Sequence, residues 1–282
     1  MGSKYDFKGK NIYLTGAATG IGRCIALELA KNKAGGVALI SRNEDLLMEV
    51  AKKIESLGTK AVVCPVDITS KEQMEWSIRE CLNKLGQIDM IINNAGILLP
   101  KNFEHHTMED FRNIFEVNFF APVAIIMAFL PHFKKNRSGF VVNVASVAGK
   151  KGFGDMSSYS ASKFALSGLT ESLRLDLKKY NIRTAVIYPN MTDTRMIEDL
   201  PKSNALEIFD FFKWHPPELV AKKLINGIKK GKYEIYTETE GYLFAIVSAL
   251  NPKLADFLMQ MKLRLFKIFK KSRRERASGS SQ

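Results

Sequence analysis

Apolar residues in this chain gather into short unbroken runs. Between the runs lie longer stretches in which they recur every three or four positions. Runs such as Val37-Ala38-Leu39-Ile40 and Phe140-Val141-Val142-Asn143-Val144 read as strands covered on both faces. On that basis strands are expected at about 11–15, 37–41, 61–65, 88–92, 139–145, 182–188 and 233–237. Helical spacing fills the gaps, as from Glu44 to Leu57 and from Lys71 to Leu85. Alternation of this kind predicts right-handed βαβ crossovers and one α/β domain built on a doubly wound parallel sheet. Ligands of such sheets bind beyond the carboxyl ends of the strands.

The pattern changes near the C-terminus. Leu254, Phe257, Leu258, Met261, Leu265 and Ile268 recur at helical spacing, with Gln260, Arg264, Lys267 and Lys271 opposite. Between Lys262 and Arg276 stand eight basic residues and one acid, a net +7 of the chain's +13. This predicts a basic amphipathic helix over 254–276, suited to an anionic membrane surface. Packing on the domain or at a subunit interface is the other reading of the same helix. The rest of the chain carries only +6, which argues against a nucleic-acid partner. The apolar run Tyr242–Leu250 is far shorter than the ~20 residues of a spanning helix. We therefore expect a catalytic domain over 1–240, a helical extension over 241–276 and a disordered tail over 277–282.

Length and composition fit one domain: 282 residues, 46% of them hydrophobic, suffice for a buried sheet. Cys24, Cys64 and Cys81 show no metal-ligand spacing and are expected to be buried free thiols of a reducing compartment; no metal is expected. The polar N-terminus lacks a signal-peptide core, and a cytoplasmic location is expected.

Chemistry enters at the predicted strand ends. The first strand runs into Thr15-Gly16-Ala17-Ala18-Thr19-Gly20-Ile21-Gly22, a G-x-x-x-G-x-G turn opening a helix. Glycines there permit a tight turn and close approach of phosphate, which the helix N-terminus attracts. Tyr159 and Lys163, four apart on a predicted helix, share one face. A nearby ammonium favours the phenolate, so this tyrosine is a candidate proton carrier.

With these motifs stand Asn93-Asn94-Ala95-Gly96 after the fourth strand, Asn118 in Glu116-Val117-Asn118-Phe119, and Ser146 in Asn143-Val144-Ala145-Ser146. In this order they resemble the short-chain dehydrogenase/reductase family over about residues 7–240. The resemblance implies a Rossmann-type fold and a nicotinamide cofactor. It assigns Tyr159 as general acid or base, Lys163 as its partner, Ser146 as a donor to the substrate oxygen and Asn118 as support for a proton path. It further implies cofactor contacts from Gly16, Thr19, Gly20, Ile21, Gly22, Asp67, Ile68, Asn94, Ala95, Gly96, Pro189, Thr192 and Thr194, besides Tyr159 and Lys163. At the end of the second strand, Ser41 and Arg42 stand where an acid would repel a 2′-phosphate, so NADP(H) is the expected cofactor. NADP-preferring members often carry a second basic residue where this chain has Thr19. The family's Pro-Gly is here Pro189-Asn190, and Asn190 is expected to keep the turn by taking a positive φ.

Residues 195–216 correspond to the family's substrate lid and are rich in apolar side chains, including Met196, Ile197, Phe209, Phe212 and Trp214. They suit a lipophilic carbonyl. With Tyr188-Pro189 and Thr192-Asp193-Thr194, the lid and tail resemble the family's 3-ketosphinganine reductase and hydroxysteroid dehydrogenase branches. The expected activity is interconversion of a lipophilic ketone and a secondary alcohol, in a homodimer or homotetramer peripheral on the cytoplasmic face of a membrane. A soluble 3-oxoacyl thioester reductase and a non-catalytic NADP-binding regulator at a membrane stay open as alternatives.

Overall fold

Among the described residues, seven parallel strands form one sheet. The computed structural model describes residues 4–193, 214–261 and 264. The strands are β1 (Asn11–Thr15), β2 (Gly36–Ser41), β3 (Lys60–Pro65), β4 (Met90–Asn93), β5 (Gly139–Val144), β6 (Ile182–Tyr188) and β7 (Glu234–Tyr236). Their spatial order is β3-β2-β1-β4-β5-β6-β7. The order reverses between β1 and β4, and a crevice opens at such a reversal.

Alternate strand residues serve two cores. Ile12, Leu14, Val37, Leu39, Phe140 and Val142 face helices α1 (Gly20–Lys31), α2 (Glu44–Glu55) and α7 (Pro217–Lys229). Tyr13, Ala38, Ile40 and Val141 face α3 (Lys71–Leu85) and α5 (Ala121–Asn136). Burial on both faces explains why the strands read as unbroken apolar runs. Local signals set the helix starts. The Asn43 side chain accepts the Leu46 N–H at 2.9 Å ahead of α2, and Thr107 and Asp110 form a reciprocal capping box at α4 (Met108–Phe115).

Between α4 and α5 the chain makes a π-helical turn, Glu116–Phe120. The continuous helix Met108–Asn136 is the one among the described residues long and apolar enough to cross a membrane. It belongs to the fold, since Ile125, Phe129 and Phe133 are core and Asn118 is fully buried. After β7 come α8 (Thr239–Leu250) and a further helix over 252–261. The amphipathic helix expected over 254–276 is helical to 261; apart from Arg264, the remainder and the 277–282 tail lie outside the described residues. All three cysteines are buried and free.

Candidate active site

The glycine turn is built by its backbone. Gly16 and Gly20 take φ of +66° and +51°, where side chains are strained. Gly22 lies so close to the Gly16 carbonyl oxygen that a Cβ would overlap it. Thr19 is the N-cap of α1, and its side chain makes no capping hydrogen bond. The first N–H groups of the helix therefore face the crevice with the positive dipole end.

Thr15 fastens this turn to β4. Its Oγ1 accepts the N–H groups of Asn94 and Ala95, each at 3.0 Å. The Asn94 amide donates back to the Thr15 and Gly16 carbonyls at 3.0 and 3.2 Å. Asn94 and Ala95 thus hold the floor of the crevice in register.

Ser146 follows β5, with extended backbone, and its Oγ accepts the Ala148 N–H at 3.1 Å. Tyr159 and Lys163 project from α6 (Ser157–Asp176). Gly149 lets α6 approach, because a Cβ there would stand 2.7 Å from the Lys163 carbonyl oxygen and 2.8 Å from Ser167 Oγ. Burial pushes the Tyr159 phenol from 10.0 up to about 12, opposed by its hydrogen bond with Ser146. Burial also brings Lys163 from 10.5 down to about 8. The ammonium donates to the Val144 carbonyl at 3.0 Å and sits 5.6 Å from the centre of the Tyr159 ring. Desolvation, and not the lysine, therefore sets the direction for Tyr159 and keeps the phenol protonated, against the expectation that Lys163 lowers it.

Asn118 lies on the π turn, a feature that often marks functional sites. Its amide is fully engaged: Oδ1 accepts the Ile97 N–H at 2.8 Å, and Nδ2 donates to Ile97 O at 2.9 Å and Ser162 Oγ at 3.1 Å. It pins the segment after Gly96. A Cβ on Gly96 would stand 3.1 Å from Asn118 Oδ1 and 3.3 Å from Lys163 Nζ.

These parts line one cleft of about 730 Å³. Gly16, Thr19, Gly20, Ile21, Gly22, Ser41, Arg42, Asp67, Ile68, Asn94, Ala95, Gly96, Ser146, Tyr159, Lys163, Pro189 and Thr192 all border it. Asn118 stands behind the wall, and Thr194 lies outside the described residues, as does 195–213 of the lid. At the β2–β3 end, burial disfavours the Asp67 carboxylate. The Thr69 N–H and hydroxyl, at 2.9 and 2.7 Å, together with Arg42, outweigh that and hold Asp67 below its usual range. The fit to a nicotinamide dinucleotide is good: a glycine cradle with no room for side chains, an uncapped helix N-terminus and an arginine border the same cleft.

Asn190 corrects one expectation, since it is not among the residues with positive φ. Its N–H donates to Thr237 Oγ1 at 3.1 Å and its Oδ1 accepts the Met191 N–H at 2.9 Å, so hydrogen bonds hold the turn that Gly would hold by conformation. Sequence reasoning also missed the roles of Thr15 and Gly149. The first was visible as the residue opening the glycine motif; the second needed the helix packing. It missed most of the apolar wall as well. Leu98, Phe153, Met156, Met191 and Trp214 cluster with Tyr159, and of these only Trp214 had been singled out.

Comparison with known proteins agrees with this geometry. Residues 10–205 match the family model described as short chain dehydrogenase. The chain is 34% identical over 245 residues to the 3-ketodihydrosphingosine reductase of Bos taurus, covering 84% of this chain and 74% of that protein. It resembles the structure of 7α-hydroxysteroid dehydrogenase complexed with NADH and 7-oxo glycochenodeoxycholic acid, at TM-score 0.72 and 29% identity over 81% of this chain and 92% of that one. It resembles a short chain dehydrogenase from Burkholderia cenocepacia J2315 in complex with NADP, at TM-score 0.76 and 25% identity over 90% and 99% of the two chains. With a family model matching most of its length and its strands, glycine turn and cleft arranged as described, the chain belongs to the short-chain dehydrogenase/reductase family.

Proposed function

We propose that this oxidoreductase is NADP(H)-dependent and reduces a lipophilic ketone, of the 3-keto lipid or steroid kind, to a secondary alcohol. The observation that carries the reading is the hydroxyl pair: Ser146 and Tyr159 border the same cleft, Ser146 opposes the burial-driven rise of the Tyr159 phenol, and Lys163 lies buried beside them. NADP(H), when bound, supplies or accepts the hydride. The residues do the rest. The N-terminus of α1 takes the diphosphate and Arg42 the 2′-phosphate. Ser146 orients the carbonyl oxygen. Tyr159, kept protonated by burial, donates the proton that the reduced oxygen takes up. Lys163, at about 8, lies near enough to ambient pH to pass a proton on. Asn118 acts as a positioning residue, holding Gly96 against that ammonium.

The apolar cluster around Tyr159 supports a lipophilic substrate, and the name of the bovine relative supports a long-chain 3-keto lipid. The same reading takes 1–240 as the catalytic domain and 241–276 as an extension meeting the cytoplasmic face of a membrane, supported by the net +7 between Lys262 and Arg276. It takes the enzyme as a homodimer or homotetramer, supported by the exposed Phe120, Met127 and Phe164. The test is NADPH and NADH oxidation against long-chain 3-keto lipids, keto steroids and 3-oxoacyl thioesters. The proposal expects NADPH with a 3-keto lipid or steroid to turn over fastest; fastest turnover of a thioester, or none of any ketone, would overturn it.

A further inference from the structure

One feature of the fold is inside out. Helix α8 is apolar along most of its twelve residues, yet the one residue it buries is Ser248. Tyr242, Leu243 and Leu250 are 46%, 55% and 82% exposed. In the next helix Ala255 is buried, whereas Leu254 and Phe257 are 44% and 60% exposed. A soluble surface rarely gathers such a patch without a partner for it. At 1.5 Å per residue α8 is about 18 Å long, too short to cross a bilayer core of about 30 Å. Such a helix can bind lipid only by lying along its surface.

The patch adjoins the active site. A Cβ on Gly241 would stand 3.1 Å from Val147 Cγ1, so α8 starts against the residue after Ser146. The Tyr242 ring meets Tyr236 edge-on at 5.0 Å. Lys151 and Asp256 form an ion pair at 2.6 Å, tying the second helix to the same turn. These contacts fix the exposed face beside the wall where Tyr159 lies. Of the 23 residues 239–261 only Glu240, Lys253 and Asp256 are charged. Directly after this stretch come the eight basic residues between Lys262 and Arg276. An apolar face continuous in sequence with a strongly basic run matches an anionic lipid surface, whose acyl region takes the first and whose headgroups take the second.

We propose that the exposed face of residues 239–261 is a loading surface: it rests on an anionic bilayer and passes a lipid ketone from the bilayer to the Ser146–Tyr159 wall without release into water. The inference rests on the lipophilic-ketone reading above. Its occupant is the lipid surface itself, not a second copy of the chain or a protein partner.

The test uses full-length protein and the double variant Leu243→Glu/Phe257→Glu, both positions exposed and neither of them lining the cleft. Vesicles of phosphatidylcholine with phosphatidylserine, and of phosphatidylcholine alone, are sedimented with each protein. NADPH oxidation is followed with a long-chain 3-keto lipid held in the vesicles and with a short water-soluble ketone. Loss of even one such inserted side chain weakens partitioning by roughly tenfold or more. The wild type should sediment with the anionic vesicles. The variant should lose at least about that factor in both sedimentation and turnover of the vesicle-held substrate, and keep its turnover of the soluble ketone. Unchanged sedimentation and turnover in the variant would overturn the proposal. So would a variant that keeps vesicle turnover but changes oligomeric state, which would make the face a subunit contact. Variant loss of soluble-ketone turnover would make the face structural and overturn it equally. If the wild type reduces no ketone at all, the reaction reading fails, and the loading role falls with it. Sedimentation then still reports separately whether the face meets lipid.

Discussion

Lys163→Met should make the protein more stable near neutral pH while abolishing its activity. The side chain is 4% exposed, and burial brings its pKa from 10.5 down to about 8. Each unit corresponds to about 1.4 kcal/mol, so keeping the ammonium buried costs on the order of 3 kcal/mol. Its hydrogen bond to the Val144 carbonyl returns about 1 kcal/mol. Methionine fills nearly the same volume without a charge. The net gain is about 2 kcal/mol, or roughly 3 °C in Tm for a chain of this size. The pH dependence follows from linkage. Below about 8 the lysine is charged both folded and unfolded, and the full cost is present. Between there and 10.5 the folded form has released the proton while the unfolded chain still holds it, so wild-type stability rises with pH. Thermal unfolding of both proteins without cofactor, at about pH 7 and about pH 10, reads this out. The advantage of the variant should shrink at the higher pH. A variant that is less stable by the same amount at both pH values would refute the reasoning.

Other substitutions test other parts of the cleft. Arg42→Ala should weaken NADPH binding by roughly ten- to hundredfold and NADH binding little, the worth of one charge-assisted contact; equal losses in titrations with both cofactors would remove Arg42 as the reader of the phosphate. Gly149→Ala must displace either the Ser146 turn or the α6 backbone, so Tm should fall by an amount matching about 1–3 kcal/mol and kcat should fall with it; a Tm and kcat equal to wild type would show that the close approach is not needed.

Much of this architecture was legible because the physics that forms it is local. Strands buried on both faces must be apolar at every position, so the run Val37–Ile40 could only be a covered strand or a buried helix, and the flanking helical periods chose. The glycine turn was legible for a similar reason, since three closely spaced glycines at a strand end have few other uses. What escaped depends on neighbours distant in sequence. The π turn at Glu116–Phe120 sits inside a helical pattern that does not break, and its extra residue leaves no compositional mark. Gly149 reads as an ordinary loop glycine until α6 is packed against it. Asn190 was expected to imitate glycine through its φ, whereas Thr237, 47 residues away, supplies the support. The apolar run Tyr242–Leu250 was legible only as too short to span a membrane, because a sequence period shows that a face is apolar and not which way it points.

The account stands on Tyr159 as the proton carrier of a ketone reduction. Tyr159→Phe keeps the ring among Met156, Met191 and Trp214 and removes only the hydroxyl that meets Ser146. The measurement is a single turnover of NADPH oxidation with a long-chain 3-keto lipid, wild type beside Tyr159→Phe, with NADPH affinity titrated for both. The account predicts a fall of roughly a hundredfold or more in the rate, the usual weight of a positioned general acid, at unchanged NADPH affinity. A Tyr159→Phe rate within about tenfold of wild type would contradict it.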